Sequence, residues 1–168
     1  MEKRVSGLFV FCFLLIISGF AYFFYSSTKV RYVDLEKVYN EFSLTKKLNE
    51  KYLRHEAEER SRFDSINARI NILRNSSQTK TELYKVQIME MQCERALKEG
   101  EQNLQEIHQS YDQQIWNQLH TYLKTYGKEN NLDLLLGDPG NGSILFGNEK
   151  FEVTQPVIQF VNKSYENQ

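Results

Sequence analysis

An uninterrupted apolar block stands near the start of the chain, and no later stretch is like it. Residues 5–25 read VSGLFVFCFLLIISGFAYFFY and contain no charged side chain. At about 1.5 Å per residue, a helix of this length is roughly 30 Å long, the thickness of a bilayer's hydrocarbon core. The pattern predicts an N-terminal transmembrane helix within residues 1–28. Basic residues stand on both sides of it, so counting positive charges gives no orientation. The N-terminus is expected inside because a four-residue basic tail cannot be the functional part.

The same block has a second interpretation, a cleaved signal peptide. Lys3 and Arg4 would form its basic start, and Gly19 and Ala21 would supply small residues for a cleavage site. The apolar run continues to Tyr25, further than a signal peptide needs, and this favours the anchor. Both interpretations send residues 29–168 out of the cytoplasm.

Two long helical stretches follow, separated by a polar turn. Residues 29–34 alternate like a short strand, and Asp34 can cap the helix after it. Residues 75–78, NSSQ, favour a turn over a helix interior. The heptad spacing on either side predicts arms over residues 35–74 and 80–130, each about 60 Å long, folded into an antiparallel coiled-coil hairpin.

The heptads also predict a register for the hairpin. Folding the chain at Ser77 sets Phe63 opposite Cys93, with the other seam positions in step. After Tyr111 the apolar spacing shifts by a four-residue step, which unwinds a supercoil. Beyond it, the helix is expected to pack on something other than its hairpin partner, through Ile115, Leu119, Tyr122 and Tyr126.

The middle of the predicted seam is poor in apolar residues. Glu56 would meet Gly100, and Glu59 would meet Leu97. Such layers give up most of the roughly 1.5 to 3 kcal/mol that a buried apolar side chain contributes. These four residues are therefore a candidate hinge, where the arm would bend; a tolerated polar patch in an ordinary coiled coil is the alternative.

A small β body is predicted at the C-terminal end, over residues 132–168. Residues 132–137, LDLLLG, look like a buried strand, and residues 143–146 like a second strand after a turn. Thr154 is expected to cap a final helix through about Tyr165. The predicted fold class is therefore α+β and mostly α: a transmembrane helix, a long hairpin and a small β body with a short C-terminal helix.

Composition and chemistry exclude several classes of protein. The net charge of −1 and the pI of about 6.3 give no sign of nucleic-acid binding. Cys12 lies in the apolar block and Cys93 in an arm, so no disulfide scaffold is expected. The histidines lack ligand spacing, and no serine or cysteine comes with a base. We expect no catalytic residues, no metal, no cofactor and no enzyme activity.

The two ends of the hairpin resemble the Skp/OmpH family of periplasmic chaperones. The resemblance rests on VRYVDLEKVYNEF before the hairpin and YGKENNLDLLLGDPGNGSILFGNEKFEVTQPVIQFVNKSY after it. It implies a trimer whose strands form a central barrel and whose hairpins surround a cavity that holds unfolded outer-membrane proteins. The chain departs from the family's best-known members in its near-neutral charge and its apparent anchor.

The resemblance implies a function, an ATP-independent holdase for unfolded envelope or outer-membrane proteins. Tyr84, Met89 and Met91 near the tip are candidate client contacts, because methionine repacks around irregular partners. The alternative is a bitopic coiled-coil scaffold that docks one fixed partner of the cell envelope. The expected localisation is the inner membrane, single-pass, with the bulk of the chain in the periplasm, or the soluble periplasm if the segment is cleaved.

The candidate oligomer interface is the strand body. Val30 and Tyr32 share one face of the first strand, and Leu134 and Leu136 share one face of another. Three strands and a short helix are small for independent stability, so burial between subunits of a homotrimer is expected.

Overall fold

A computed structural model of the chain describes residues 28–140 and 142–167. The predicted transmembrane helix and Cys12 lie outside them. The described elements are, in chain order, β1 (Val30–Asp34), α1 (Leu35–Glu41), α2 (Ser43–Ser76), α3 (Lys80–Glu129), β2 (Leu134–Asp138), a 3-10 turn (Glu149–Phe151) and α4 (Thr154–Glu166). The mostly helical α+β class predicted from the sequence is confirmed, with a smaller sheet than expected.

The sheet has two parallel strands, β1 and β2. Their register pairs Val30 with Leu134 and Asp34 with Asp138. On its other side β1 makes an isolated parallel bridge from Tyr32 to Glu152. Both edges of β1 are therefore occupied, by β2 and by the segment around Glu152.

The prediction of a second C-terminal strand at residues 143–146 is wrong. These residues form bends, and the two large apolar side chains among them are exposed. Gly140 and Gly142 before them have φ of +76° and +84°, which turns the chain away from the sheet. Both sides of β1 are taken by β2 and the segment around Glu152, and within the described residues this segment does not pair with the outer edge of β2 either.

The sequence predicted one continuous helix from residue 35, but the first arm is divided into α1 and α2. Asp34 does cap α1, since its side chain accepts from the Lys37 amide at 2.9 Å. The helix then breaks at Phe42, whose backbone is extended at φ −70° and ψ 128°. Asn162 of α4 closes the break: Ser43 N donates to its Oδ1 at 2.7 Å, and its Nδ2 donates to Glu41 O at 3.1 Å.

Helices α2 and α3 form the predicted antiparallel hairpin. Its turn ends in a capping box, in which Thr79 Oγ1 accepts from Glu82 N and the Glu82 carboxylate accepts from Thr79 N. This box fixes where α3 begins. The Glu82 pKa is lowered because the Gln78 and Thr79 amides donate to the carboxylate.

The core lies at the base of the hairpin, where the sheet, α1, α4 and both helix ends meet. Eleven apolar residues form one buried cluster there: Val33, Val38, Phe42, Leu48, Ile115, Leu119, Tyr122, Tyr126, Val157, Ile158 and Val161. The residues after the spacing shift pack here, as predicted, against α1 and α4. Thr154 is not the cap of α4 but its first residue; its Oγ1 accepts from Asp34 N at 3.0 Å. Between residues 49 and 114, only Ile70 and Val86 are buried.

Candidate functional site

The far end of the hairpin carries an apolar stripe on the outer face of α3. Tyr84, Ile88 and Met91 are spaced four and three residues apart, so they share one helix face. Together with the Arg74–Glu90 ion pair they line an open hollow of about 590 Å³. Tyr84 is 64% exposed and Met91 is 53% exposed. We call these three residues the tip surface.

The tip surface contains two of the three client contacts predicted from the sequence. Tyr84 and Met91 belong to it, whereas Met89 is half-buried and does not line the hollow. Ile88 takes its place, and its helical spacing from Tyr84 and Met91 was the signal that could have identified it. Two further large side chains are exposed at the tip, Ile72 at 69% and Leu83 at 46%. An unfolded apolar segment would find several contacts within a few turns of helix.

The middle of the hairpin has a different register from the predicted one. A Cβ on Gly100 would lie 3.2 Å from the Phe63 ring and 3.5 Å from Glu59 Oε2, so these two residues face Gly100. Phe63 was expected opposite Cys93, which lies seven residues earlier on α3. Cys93 Sγ instead lies 3.7 Å from Asn67 Oδ1. Glu59 was expected opposite Leu97 but lies beside Gly100, so these contacts displace the predicted pairing by about one helical turn. Such a slip keeps nearly the same helix faces together, so the heptad pattern could not detect it.

This register separates the four candidate hinge residues. Glu56 is exposed and does not face Gly100, whereas Glu59 is half-buried beside it. Leu97 lines a separate hollow of about 450 Å³ between the arms, with Ile70 on the other arm. The predicted pairing of Glu56 with Gly100 is therefore wrong. The sparse packing that motivated the hinge is present, because the two arms leave open space on the tip side of Phe63.

The sheet presents the four predicted interface residues on one face. The register pairs Val30 with Leu134 and Tyr32 with Leu136, so the side chains of all four project to the same side. Leu134 is 48% exposed and Leu136 is 42% exposed. We call these four residues the sheet face. Large apolar side chains left open on a small sheet indicate an interaction surface.

A hydrogen-bonded cluster joins the base to the first turns of the arm. Tyr39 of α1 donates its hydroxyl to Asp112 Oδ1 of α3 at 2.5 Å, and His108 Nδ1 lies 3.2 Å from Asp112 Oδ2. The Tyr39 ring also lies 5.3 Å from the Trp116 ring. Burial, and then the hydrogen bond to Asp112, raise the pKa of Tyr39. The cluster clamps α1 against α3.

The described residues offer no grouping typical of a metal site. Within residues 28–140 and 142–167, no three His, Cys, Asp or Glu side chains come close enough to hold an ion together. The described residues instead present exposed apolar surfaces, ion pairs and the hydrogen-bonded cluster of Tyr39, Asp112 and His108. The arrangement can bind other chains through many small contacts.

Comparisons with known proteins point to one family. Residues 29–161 match the sequence model of OmpH, described as outer membrane protein (OmpH-like). Among solved structures, a candidate outer membrane chaperone (OmpH-like) from Caulobacter crescentus is similar, with a TM-score of 0.61. The sequences are 11% identical, and the match covers 83% of this chain and 86% of that one. At this identity the likeness concerns the fold alone. No curated protein sequence matches the chain.

The inner-membrane, single-pass localisation expected from residues 5–25 is contradicted. The family whose model matches is periplasmic. Where the structure describes the chain, no helix is long and apolar enough to cross a bilayer. The expectation rested on hydropathy alone, and the length of an apolar run does not distinguish between its possible roles.

Proposed function

We propose that this chain, which belongs to the OmpH-like family, is an ATP-independent holdase that keeps unfolded outer-membrane proteins from aggregating. At the level of the family it is a periplasmic chaperone. Members of the family are generally not enzymes. The observation that carries the proposal is the contrast along the hairpin: an arm that buries almost nothing of its own exposes large apolar side chains at its tip.

The packing of the arms supports this function. Over residues 49–114, the two helices bury only Ile70 and Val86. Few apolar contacts between the arms therefore have to be lost when a client binds. The stability of the arms comes from helix propensity, capping and the base. Such arms can change their separation at a small cost in free energy, and a holdase needs this to enclose clients of different sizes.

The chemistry of the tip surface supports apolar clients. Tyr84 and Met91 combine a flat aromatic ring with a flexible thioether, and both are more than half exposed. Methionine adapts to irregular partners, and tyrosine offers a large apolar area with a polar end. The near-neutral net charge of −1 provides little long-range attraction. We therefore propose that binding depends on short-range apolar contacts rather than on electrostatic capture.

The sheet face supports assembly into a homotrimer. Leu134 and Leu136 would bury their exposed fractions against the corresponding strands of other copies. In the described residues β2 pairs with β1 alone, which leaves its outer edge open for a further strand. Three copies joined in this way would form a closed barrel with the hairpins projecting from one side. Replacing both leucines with aspartate should dissociate the trimer, measured by sedimentation, and leave helicity largely intact, measured by circular dichroism.

The holdase is tested by aggregation of an unfolded client. A urea-unfolded outer-membrane β-barrel protein is diluted into buffer with the full chain, without ATP, and light scattering is followed. The wild type should suppress scattering. The variant Tyr84→Ser/Ile88→Ser/Met91→Ser should need a several-fold higher concentration for the same effect, because it lacks the tip surface. The matched control Glu99→Ser/Gln102→Ser alters exposed positions on the same helix and should behave like the wild type.

Two outcomes would contradict the proposal. A wild-type chain that leaves scattering unchanged is not a holdase for this class of client. Cross-linking in cells provides the second: many β-barrel precursors are expected, and a single partner in a fixed ratio would indicate a scaffold instead.

A further inference from the structure

The two helices of the hairpin extend into the base to different depths. Helix α3 runs without a break from the tip into the base, where it buries Ile115, Leu119, Tyr122 and Tyr126. Helix α2 begins only after the break at Phe42 and buries Thr45 and Leu48 in the base, and its next buried residue is Ile70. The direction of α3 is therefore fixed by its own packing, whereas α2 depends on what holds its first turns.

Helix α4 is a fixed support beside the start of α2. Val157 and Val161 are fully buried, and Ile158 is buried beside them, so α4 is held in the core cluster. Asn162 and Tyr165 are three positions apart and share one face of α4. Both contact residues at the break or in the first turns of α2. We call these two residues the α4 clasp.

Asn162 contacts both sides of the break. Ser43 N lies in the first turn of α2, where amides have no partner within their own helix, and it donates to Asn162 Oδ1 at 2.7 Å. Asn162 Nδ2 donates to Glu41 O, in the last turn of α1, at 3.1 Å. One side-chain amide thus satisfies the end of one helix and the start of the next, and it fixes the angle between them.

Tyr165 extends the contact past the break. Its ring meets the Phe42 ring edge-on, with 5.6 Å between the ring centres. Lys47 Nζ donates to the Tyr165 hydroxyl at 3.4 Å and lies 5.9 Å from the centre of its ring. The α4 clasp therefore holds α2 from the break at Phe42 to Lys47.

We infer that the α4 clasp sets the direction in which α2 leaves the base, with Asn162 as the main positioning residue, and so controls which sizes of client the hairpin accommodates. The inference rests on the holdase function proposed above. Ala68 lies about 38 Å along α2 from Ser43, so a tilt of about 10° at the break moves it by roughly 6 Å. Little opposes such a tilt further out, because the two helices bury few side chains between residues 49 and 114.

The backbone of the break offers a way to replace the clasp. Phe42 has φ −70° and ψ 128°, the extended conformation that a residue before proline prefers. Ser43 is the first residue of α2, the position at which proline is favoured because its φ suits a helix and it has no amide to satisfy. Ser43→Pro should therefore hold the same break geometry without Asn162.

Spin labels in the full chain measure the direction of α2 without a client. The background carries Cys12→Ser and Cys93→Ser, and labelled chain is mixed with an excess of unlabelled chain. Labels at the exposed positions Ala68→Cys and Lys128→Cys connect α2 to the base end of α3. Labels at Glu99→Cys and Lys128→Cys, both on α3, are the control pair.

Replacing Asn162 should broaden the distance distribution between Ala68 and Lys128 and shift its centre by several ångströms. Asn162→Ala removes both hydrogen bonds, whereas the milder Asn162→Asp keeps the acceptor for Ser43 N and should fall between Asn162→Ala and the wild type. Lys163→Ala, at an exposed position on the same helix, should match the wild type. Emission of the chain's single tryptophan, which lies in the base, should stay unchanged in all three.

Clients of two sizes separate positioning from stability. Asn162→Ala should need a several-fold higher concentration to suppress aggregation of a small outer-membrane β-barrel protein, and a concentration near that of the wild type for a large one. A small client makes few contacts, so it cannot offset the freedom that α2 loses on binding. Ser43→Pro/Asn162→Ala should restore both the narrow distribution and the activity towards the small client.

The outcomes separate this inference from the holdase itself. An Ala68–Lys128 distribution that Asn162→Ala and Asn162→Asp leave unchanged would overturn the inference and leave the holdase standing, because no client is present. Broadening of the control pair on α3, or a failure of Ser43→Pro/Asn162→Ala to narrow the distribution, would overturn it too, since the break would not be where the direction is set. Equal losses for small and large clients would overturn the link to client size. A wild type that suppresses no aggregation contradicts the holdase.

Discussion

The base and the arms of this hairpin use the same helices in opposite ways. At the base, eleven apolar side chains form one buried cluster. Along residues 49–114 of the same two helices, two are buried. A helix can be kept in place at one end by packing and extend from it with little packing of its own. The difference teaches that stability and binding are assigned to separate parts, so the arm can expose apolar surface that the base would have to bury.

The largest expected effect distinguishes two phenylalanines. Phe42 is fully buried at the base, where its ring meets those of Tyr122 and Tyr165 edge-on at 6.1 and 5.6 Å. Phe42→Ala should lower the free energy of unfolding by about 3–5 kcal/mol through the cavity it leaves. Phe63→Ala, at a half-buried position in the arm, should cost about 1 kcal/mol. Urea unfolding followed by circular dichroism measures both, and equal losses would contradict the division between base and arms.

The helix break at Phe42 provides a second test of the base. Asn162→Leu removes both hydrogen bonds that close the break and leaves Ser43 N and Glu41 O without them. We expect a loss of about 2 kcal/mol, since unsatisfied polar groups in a partly buried site carry their desolvation cost. Asn71→Leu, at an exposed position in the arm, is the control and should change little. If Asn162→Leu leaves the free energy of unfolding unchanged, water must replace its hydrogen bonds to Ser43 N and Glu41 O.

The Tyr39–Asp112 clamp predicts a dependence on pH. Tyr39→Phe should cost about 1–2 kcal/mol at neutral pH, because it removes a hydrogen bond to a charged group. The folded-state pKa of Tyr39 is raised above its unfolded value near 10, so the folded chain resists ionisation. The stabilisation that comes from this difference in the pKa of Tyr39 is complete below about pH 10 and is lost as the pH rises further. Unfolding measured from pH 8 to 11 should show a shallower decline in Tyr39→Phe than in the wild type. Tyr84→Phe at the tip is the matched control, and a decline that Tyr39→Phe leaves unchanged would contradict the clamp.

The smallest expected effect concerns the middle of the arm. Glu59→Leu should raise stability by less than about 1 kcal/mol, because it places an apolar side chain beside Gly100 and Phe63. It should also narrow the distribution of distances between spin labels at Gln78 and Lys163. Glu56→Leu, on the exposed side, should do neither. If both variants keep the wild-type distribution, the arm does not bend at this point.

Local signals in the sequence predicted most of the elements. Asp34 as a cap, the turn before residue 80 and the shift in spacing after Tyr111 all follow from residues close to one another in the chain. The prediction that Leu134 and Leu136 share one face of a strand likewise depends only on neighbouring positions, because residues two apart on a strand point to the same side. Each of these features is decided by backbone hydrogen bonds or side-chain periodicity within about two turns of the chain.

The features that were missed depend on distant partners. The break at Phe42 is closed by Asn162, which is 119 residues from Ser43 along the chain. The slip of about one helical turn that brings Phe63 and Glu59 beside Gly100 keeps nearly the same helix faces together and so leaves no trace in the pattern. Residues 143–146 are apolar enough for a strand, but whether they form one depends on pairing with the edge of a distant strand. Neighbouring residues carry no information on any of the three.

Hydrogen exchange of the full chain, with and without an unfolded outer-membrane β-barrel protein, tests the division between base and arms most directly. Alone, amides in residues 49–114 should exchange faster than those around the buried cluster, because the arms open locally at little cost. With the client present, protection should increase around Tyr84, Ile88 and Met91 and stay unchanged at the base. Protection that increases at the base and not at the tip would contradict the account.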